Sequence, residues 1–223
     1  MQRIRRRDLI LLAGAMSLAC LSALIVLWLI WPDRPLGVEV APTPSPTPGP
    51  RPTYTVAYAQ VTGLSQYPPA EAAARQWSSD AQLVGANANW PELISRDQLG
   101  LPGEWNYRFY SPQKERLFNV IVQPDGQVAS FEHRVRITLP PPPLDRGAWM
   151  LDSPAALAIW LDYGGAEMMR TRPGLEVLIQ LRHLNNYPEP VWMVVGSDKN
   201  TQEIYMVVID AKEGRVVVTS PAL

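Results

Sequence analysis

Apolar residues fall into three regimes along the chain: one unbroken run near the N-terminus, a stretch dominated by proline, and then segments with helix and strand periods. From Leu9 to Trp31, 23 residues carry no charge. At about 1.5 Å rise per residue they reach roughly 34 Å, enough to cross the hydrocarbon core of a bilayer. The pattern therefore predicts a transmembrane helix over residues 9–31. Arg3, Arg5, Arg6 and Arg7 precede it, and such a cluster stays on the cytoplasmic side, which puts the C-terminal bulk outside. Trp28 and Trp31 stand at the far end, where indole rings favour the headgroup region. A secretory signal has a shorter apolar core of about 7–15 residues, so an uncleaved anchor is expected. Cys20 follows Ser17-Leu18-Ala19 and loosely resembles a lipoprotein cleavage box, with Ser where Leu is usual. The preferred reading of this cysteine is a small apolar residue inside the helix.

Beyond a cytoplasmic tail of residues 1–8 and the span at 9–31, residues 32–53 form a linker in which Pro42, Pro44, Pro46, Pro48, Pro50 and Pro52 alternate with small residues. Such spacing favours an extended polyproline conformation of about 3 Å per residue, a semi-rigid spacer. A second proline cluster, Pro140 to Pro143 within a connector at residues 140–147, divides the remainder into segments 54–139 and 148–223.

Both segments carry the same order of elements. Each opens with a short amphipathic helix. The first has Ala70, Ala73, Ala74 and Trp77 on one stripe; the second has Ser153 as cap, Pro154 in the first turn, a stripe of Ala156, Ile159, Trp160 and Tyr163, and a stop at Gly164-Gly165. Runs rich in β-branched and aromatic residues follow, closed by Pro-Asp-Gly and Lys-Glu-Gly turns. Trp105 lies 21 residues before Gly126, and Trp192 lies 22 before Gly214. From Phe131 the alternation assigns Phe131, His133, Val135, Ile137 and Leu139 to one face and Glu132, Arg134, Arg136 and Thr138 to the other. Leu175 to Leu184 fits either period and is read as a strand because Pro173-Gly174 and Asn185-Asn186 bracket it. The expected fold class is α+β: a transmembrane helix, then two tandem modules, each a short helix packed through its tryptophan on its own antiparallel sheet.

The stretch EPVWMVVGSDKNTQEIYMVVIDAKEGRVVV resembles the C-terminal half of PepSY modules, small domains of peptidase propeptides and related bacterial envelope proteins. Pro190, Trp192, Tyr205, Asp210, Ala211, Gly214 and Val216 carry the likeness. Trp105, Tyr107, Phe118, Val120, Val122, Asp125, Gly126 and Val128 stand correspondingly in a more diverged first copy, which has Gln123-Pro124 in place of the Asp-Ala pair. The resemblance implies a non-catalytic extracytoplasmic binding module, in some cases one that restrains a peptidase. In physical terms Asp-Ala-Lys-Glu-Gly is a turn in which Gly214 takes a positive φ and Asp210 bonds nearby amides.

Charge and chemistry narrow the function further. The chain has 20 Lys and Arg against 21 Asp and Glu, and setting aside the tail's four arginines and Asp8 leaves 16 against 20. A mildly acidic outer part has no basic excess for phosphates, so nucleic acid is not an expected partner. With its one cysteine inside the apolar run, the outer part forms no disulfide and relies on packing. His133 and His183 are the only histidines, and both sit on apolar strand faces as structural residues. No His, Asp or Glu cluster has metal-ligand spacing, no glycine-rich phosphate loop is present, and Asp152, Asp162 and Glu167 read as helix caps or solvated residues. Neither an enzyme nor a cofactor is expected.

Residues Arg108 and Tyr110, on the face of their strand opposite Trp105, Tyr107 and Phe109, and Arg134 and Arg136 are the candidate partner-binding side chains. The expected function is a membrane-anchored extracytoplasmic binding or regulatory protein that contacts a protein or peptide partner in the envelope through an exposed strand edge, the resemblance to PepSY modules implying a peptidase. A structural subunit held off the membrane by its proline spacer is the alternative. Shortening the spacer separates them, because a role in reach fails with it and simple inhibition does not.

Overall fold

The structure, a computed structural model, describes residues 61–93, 99, 102–172, 174–185 and 187–220. The tail, the apolar run 9–31 and the linker 32–53 lie outside the described residues. Among the described residues no helix is long and apolar enough to cross a membrane.

Helix α1, Tyr67–Trp77, leads into strands β1 (Gln82–Leu93), β2 (Trp105–Ser111), β3 (Arg116–Val122) and β4 (Val128–Glu132). After a crossing segment, α2 (Ser153–Trp160), a π-turn (Leu161–Gly165) and α3 (Ala166–Thr171) lead into β5 (Leu175–Leu184), β6 (Tyr187–Ser197), β7 (Ile204–Asp210) and β8 (Val216–Ser220). All eight strands form one antiparallel sheet in the order β4-β3-β2-β1-β5-β6-β7-β8. The expectation of two tandem modules, each with its own sheet, is therefore corrected. β1 and β5 pair along Ala86↔Leu181 and Ala88↔Ile179, and join the two meanders in the middle.

Both helical stretches cover the same face. Trp77 stacks on Phe118 with ring centroids 4.7 Å apart, and Trp160, fully buried, lies over β6 so closely that a Cβ on Gly196 would sit 2.8 Å from its ring. Trp105 on β2 and Trp192 on β6 are three strand steps apart, about 14 Å of sheet, yet their ring centroids are 6.2 Å apart. The indoles therefore lean together across β1 and β5, over a strand whose inward residues include Ala86 and Ala88. Trp149 closes the group at 5.8 Å from Trp192. One core spans both halves of the chain.

Three local expectations are also corrected. The strand expected to run through Leu139 ends at Glu132. Beyond it Val135 and Leu139 are exposed, because the chain turns off the sheet edge and follows the start of β3, with the Ile137 amide bonding the Glu115 carbonyl at 2.8 Å. The second helix does not stop at Gly164-Gly165: Gly164 takes φ 124°, a kink only glycine accepts readily, and the helix resumes as α3. Its N-cap is Asp152, whose Oδ1 accepts from the Ser153 amide at 2.7 Å and from the Leu64 amide at 3.0 Å. Ser153 instead accepts the Gly63 amide at 3.0 Å, tying the start of the folded part to α2. Trp77 is only partly buried, whereas Trp160 is fully so.

Candidate partner-binding surface

In an antiparallel strand, alternate side chains face opposite sides. On β5, Leu175, Val177, Ile179 and Leu181 turn inward under the helices and are fully buried. Trp192 and Val194 of β6 and Val207 and Ile209 of β7 continue that inward layer. Strands β6 and β7, however, are apolar on both faces. Leu178 of β5, Val195 of β6 and Met206 of β7 align in one outward row. Met193, Val208 and Val218 of β8 align in the next, where Val218 is 46% exposed, Met193 is half-buried and Val208 is 3% exposed between its neighbours. The outward face of β5–β8 is thus an apolar surface, and it ends at β8, whose far edge pairs with no strand among the described residues. Across β1 and β2 the same face changes character to Asn87, Asn89 and Asn106.

The edge strand is held by its hairpin. Asp210 is 2% exposed. Its carboxylate accepts from the amides of Lys212 at 2.7 Å and Glu213 at 2.8 Å and from the Tyr187 hydroxyl at 2.5 Å. Arg215 in turn donates to the Tyr187 oxygen at 3.1 Å. Burial alone would raise the Asp210 pKa, but these donors and the nearby Arg215 charge hold it below the usual carboxylate value. Gly214 takes φ 72° and its amide returns to the Asp210 carbonyl at 2.9 Å. The Asp-Ala-Lys-Glu-Gly stretch thus fixes where β8 lies.

Of the candidate side chains, Arg108 is exposed on the outward face of β2. Tyr110 shares that face but is only 7% exposed, so little of its ring is accessible to a ligand. Arg134 and Arg136 are exposed in the segment after β4 rather than on a strand, and Arg136 lies 3.4 Å from Glu115. These four residues do not form one cluster on a common element.

Each histidine has a structural bond, His133 Nε2 with Asn119 Oδ1 at 3.1 Å and His183 Nε2 with the Pro143 carbonyl at 3.1 Å. Glu167 pairs with Arg170 on the surface. No group of three His, Cys, Asp or Glu side chains able to hold a metal occurs among the described residues. A cavity of about 10 Å³ beside Trp90, Trp105, Ser153 and Leu157 is the size of one water-sized sphere.

Sequence reading missed the outward surface of β6–β8, although its signal was present. VWMVV and IYMVVI are continuous apolar runs. Such runs belong to strands covered on both faces, and here the helices cover one.

No family model and no curated protein sequence matches the chain. A similar solved structure is the crystal structure of a "putative lipoprotein" from Clostridium difficile 630, 11% identical, with a TM-score of 0.48 over 72% of this chain and 93% of that one.

Proposed function

We propose that this chain is a membrane-anchored extracytoplasmic binding protein, and that the apolar outward face of β6–β8 with the open edge of β8 receives an extended segment of an envelope protein. The carrying observation is the mismatch between strands that are apolar on both sides and a helical layer that covers one. Side chains such as Val218 at 46% and Ile204 at 53% exposure gain by leaving water. An added strand would also use the backbone groups of β8 that pair with no strand among the described residues, which supply affinity while alternate side-chain positions supply selectivity.

The charge-free run at 9–31, behind four arginines, supports the envelope location, with residues 1–8 cytoplasmic and the folded part outside. The likeness to PepSY modules favours a peptidase, or a protein that a peptidase acts on, as the partner. The test is site-specific photo-crosslinking in intact membranes. A crosslinker at Val218 is expected to yield a discrete protein adduct that Met206→Asp abolishes, while one at the exposed Gln76 of α1 yields none. Identical adducts from both positions, or none from Val218, would sink the proposal.

A further inference from the structure

Between β4 and α2 the chain makes a crossing of residues 133–147 whose centre is Leu139 followed by Pro140, Pro141, Pro142 and Pro143. Each proline ring fixes φ near about −65°, and each proline also bars the residue before it from the helical region. The peptide bonds are trans. Pro140 to Pro142, each followed by another proline, are consequently confined to the left-handed polyproline helix, which rises about 3.1 Å per residue.

The fold grips this rod at both ends. On one side the His133 amide bonds the Leu117 carbonyl at 2.9 Å and the Ile137 amide bonds that of Glu115 at 2.8 Å. On the other, the Leu144 amide bonds the Leu83 carbonyl of β1 at 2.7 Å, the Leu144 side chain is buried, and the Pro143 carbonyl meets His183 Nε2 at 3.1 Å. Between the grips the side chains face solvent. Leu139 is 88% exposed, and Pro140, Pro142 and Pro143 are exposed as well. A crossing that served only to connect β4 with α2 has no use for a bare leucine on a rigid apolar rod.

We propose that Leu139–Pro143 is a docking strap for a partner domain whose groove is lined by aromatic side chains. Proline rings present flat apolar faces without an N–H to desolvate, and the carbonyls of Pro140 to Pro142 remain for donors on the groove rim, that of Pro143 being taken by His183. Because the strap is already extended and pinned, binding loses little chain entropy. Arg134 and Arg136, both exposed and just upstream, fit an acidic margin beside the groove. The Arg136 pair with Glu115 at 3.4 Å is solvent-exposed and easily exchanged. This inference is independent of the β8 surface, since the strap is anchored on β3, β1 and β5.

The test uses the full chain in detergent micelles, titrated against a panel of fluorescently labelled SH3 and WW domains as probes with aromatic grooves. At least one domain is expected to bind with a micromolar Kd. Leu139→Asp and the double change Pro140→Ala and Pro142→Ala should each weaken it at least tenfold. Replacing Pro44, Pro46 and Pro48 of the linker by alanine should leave it unchanged. Leu139→Asp alters a side chain that touches almost nothing, so an unchanged thermal melt keeps its result interpretable even where the proline changes disturb the fold. Absence of binding across the panel overturns the proposal, as does binding that survives both strap variants or disappears with the linker variant.

Discussion

Pairing Trp105 with Trp192 across the sheet makes the single-core architecture measurable. The two indoles are 1% and 0% exposed, their centroids are 6.2 Å apart at an interplanar angle of 69°, and a Cβ on Gly63 would lie 3.1 and 3.2 Å from them. Truncating either to alanine should cost about 3–5 kcal/mol through lost burial and the cavity left behind. An edge-to-face pair contributes about 0.5–1.5 kcal/mol beyond burial. The double variant should therefore be less destabilised than the sum of the singles by about that amount. Each single change is expected to lower Tm by about 6–20 °C in a domain of this size. The assay is guanidinium unfolding of a fragment beginning at residue 54, followed by both far-ultraviolet circular dichroism and tryptophan fluorescence. One cooperative transition and a non-zero coupling energy are expected. Two transitions, with each substitution shifting only one of them and strict additivity between them, would refute the joined sheet.

Further outcomes follow from particular contacts. Gly165→Ala should destabilise by about 1–3 kcal/mol although φ −58° suits any residue in a helix, because its Cβ would lie 2.5–2.6 Å from three atoms of the enclosed Trp160 ring; a more stable variant in urea unfolding would contradict the packing. Asp210→Ala removes a buried acceptor of two amides and a tyrosine hydroxyl and should cost about 1.5–3 kcal/mol, with faster amide hydrogen exchange in β8 and little change in β2. Acid should destabilise the domain. Burial opposes ionisation of Asp80, but hydrogen bonds from Ser111, Ser78 and the Gln113 amide hold its pKa at about 2, and Glu132, bonded first by Trp77 and Arg116, is also lowered. Groups whose folded pKa is depressed stabilise above their unfolded value near about 4 and lose that contribution as pH falls toward the folded one. Stability should thus drop between about pH 4 and 2, and Asp80→Asn should flatten that drop.

How legible was this architecture in the sequence? The amphipathic stripes of α1 and α2, the glycine turns at Gly126 and Gly214 and the strand from Leu175 follow from local rules, because each is set by residues a few positions apart. β1 does not. Its QLVGANANWPEL has Gly, Ala and Asn where strands usually carry β-branched residues, and Pro91 sits where the register to β5 shifts. That composition makes sense only in three dimensions, since the small inward Ala86 and Ala88 leave room for the indoles leaning over them. Missing the central strand turned one sheet into two. The outward face was hidden for a related reason: alternation identifies a face only where its neighbour is polar, and Met193, Val195, Met206 and Val208 share strands with an equally apolar inward layer. Past Glu132 the reverse happened. An apparently regular alternation from Phe131 to Leu139 continued beyond the last residue that β3 can pair.

Methionine footprinting offers the most direct test of the binding account. Met193 and Met206 lie half-buried on the outward apolar face, and Met150 is an exposed methionine 67% accessible near α2. Mild peroxide oxidation of the purified chain and of the chain in its native membranes, read by mass spectrometry, compares them. The proposed partner predicts that Met193 and Met206 oxidise in the purified protein and are protected in membranes while Met150 reacts in both. Equal oxidation of Met193 and Met206 in the two preparations would contradict an occupied sheet face.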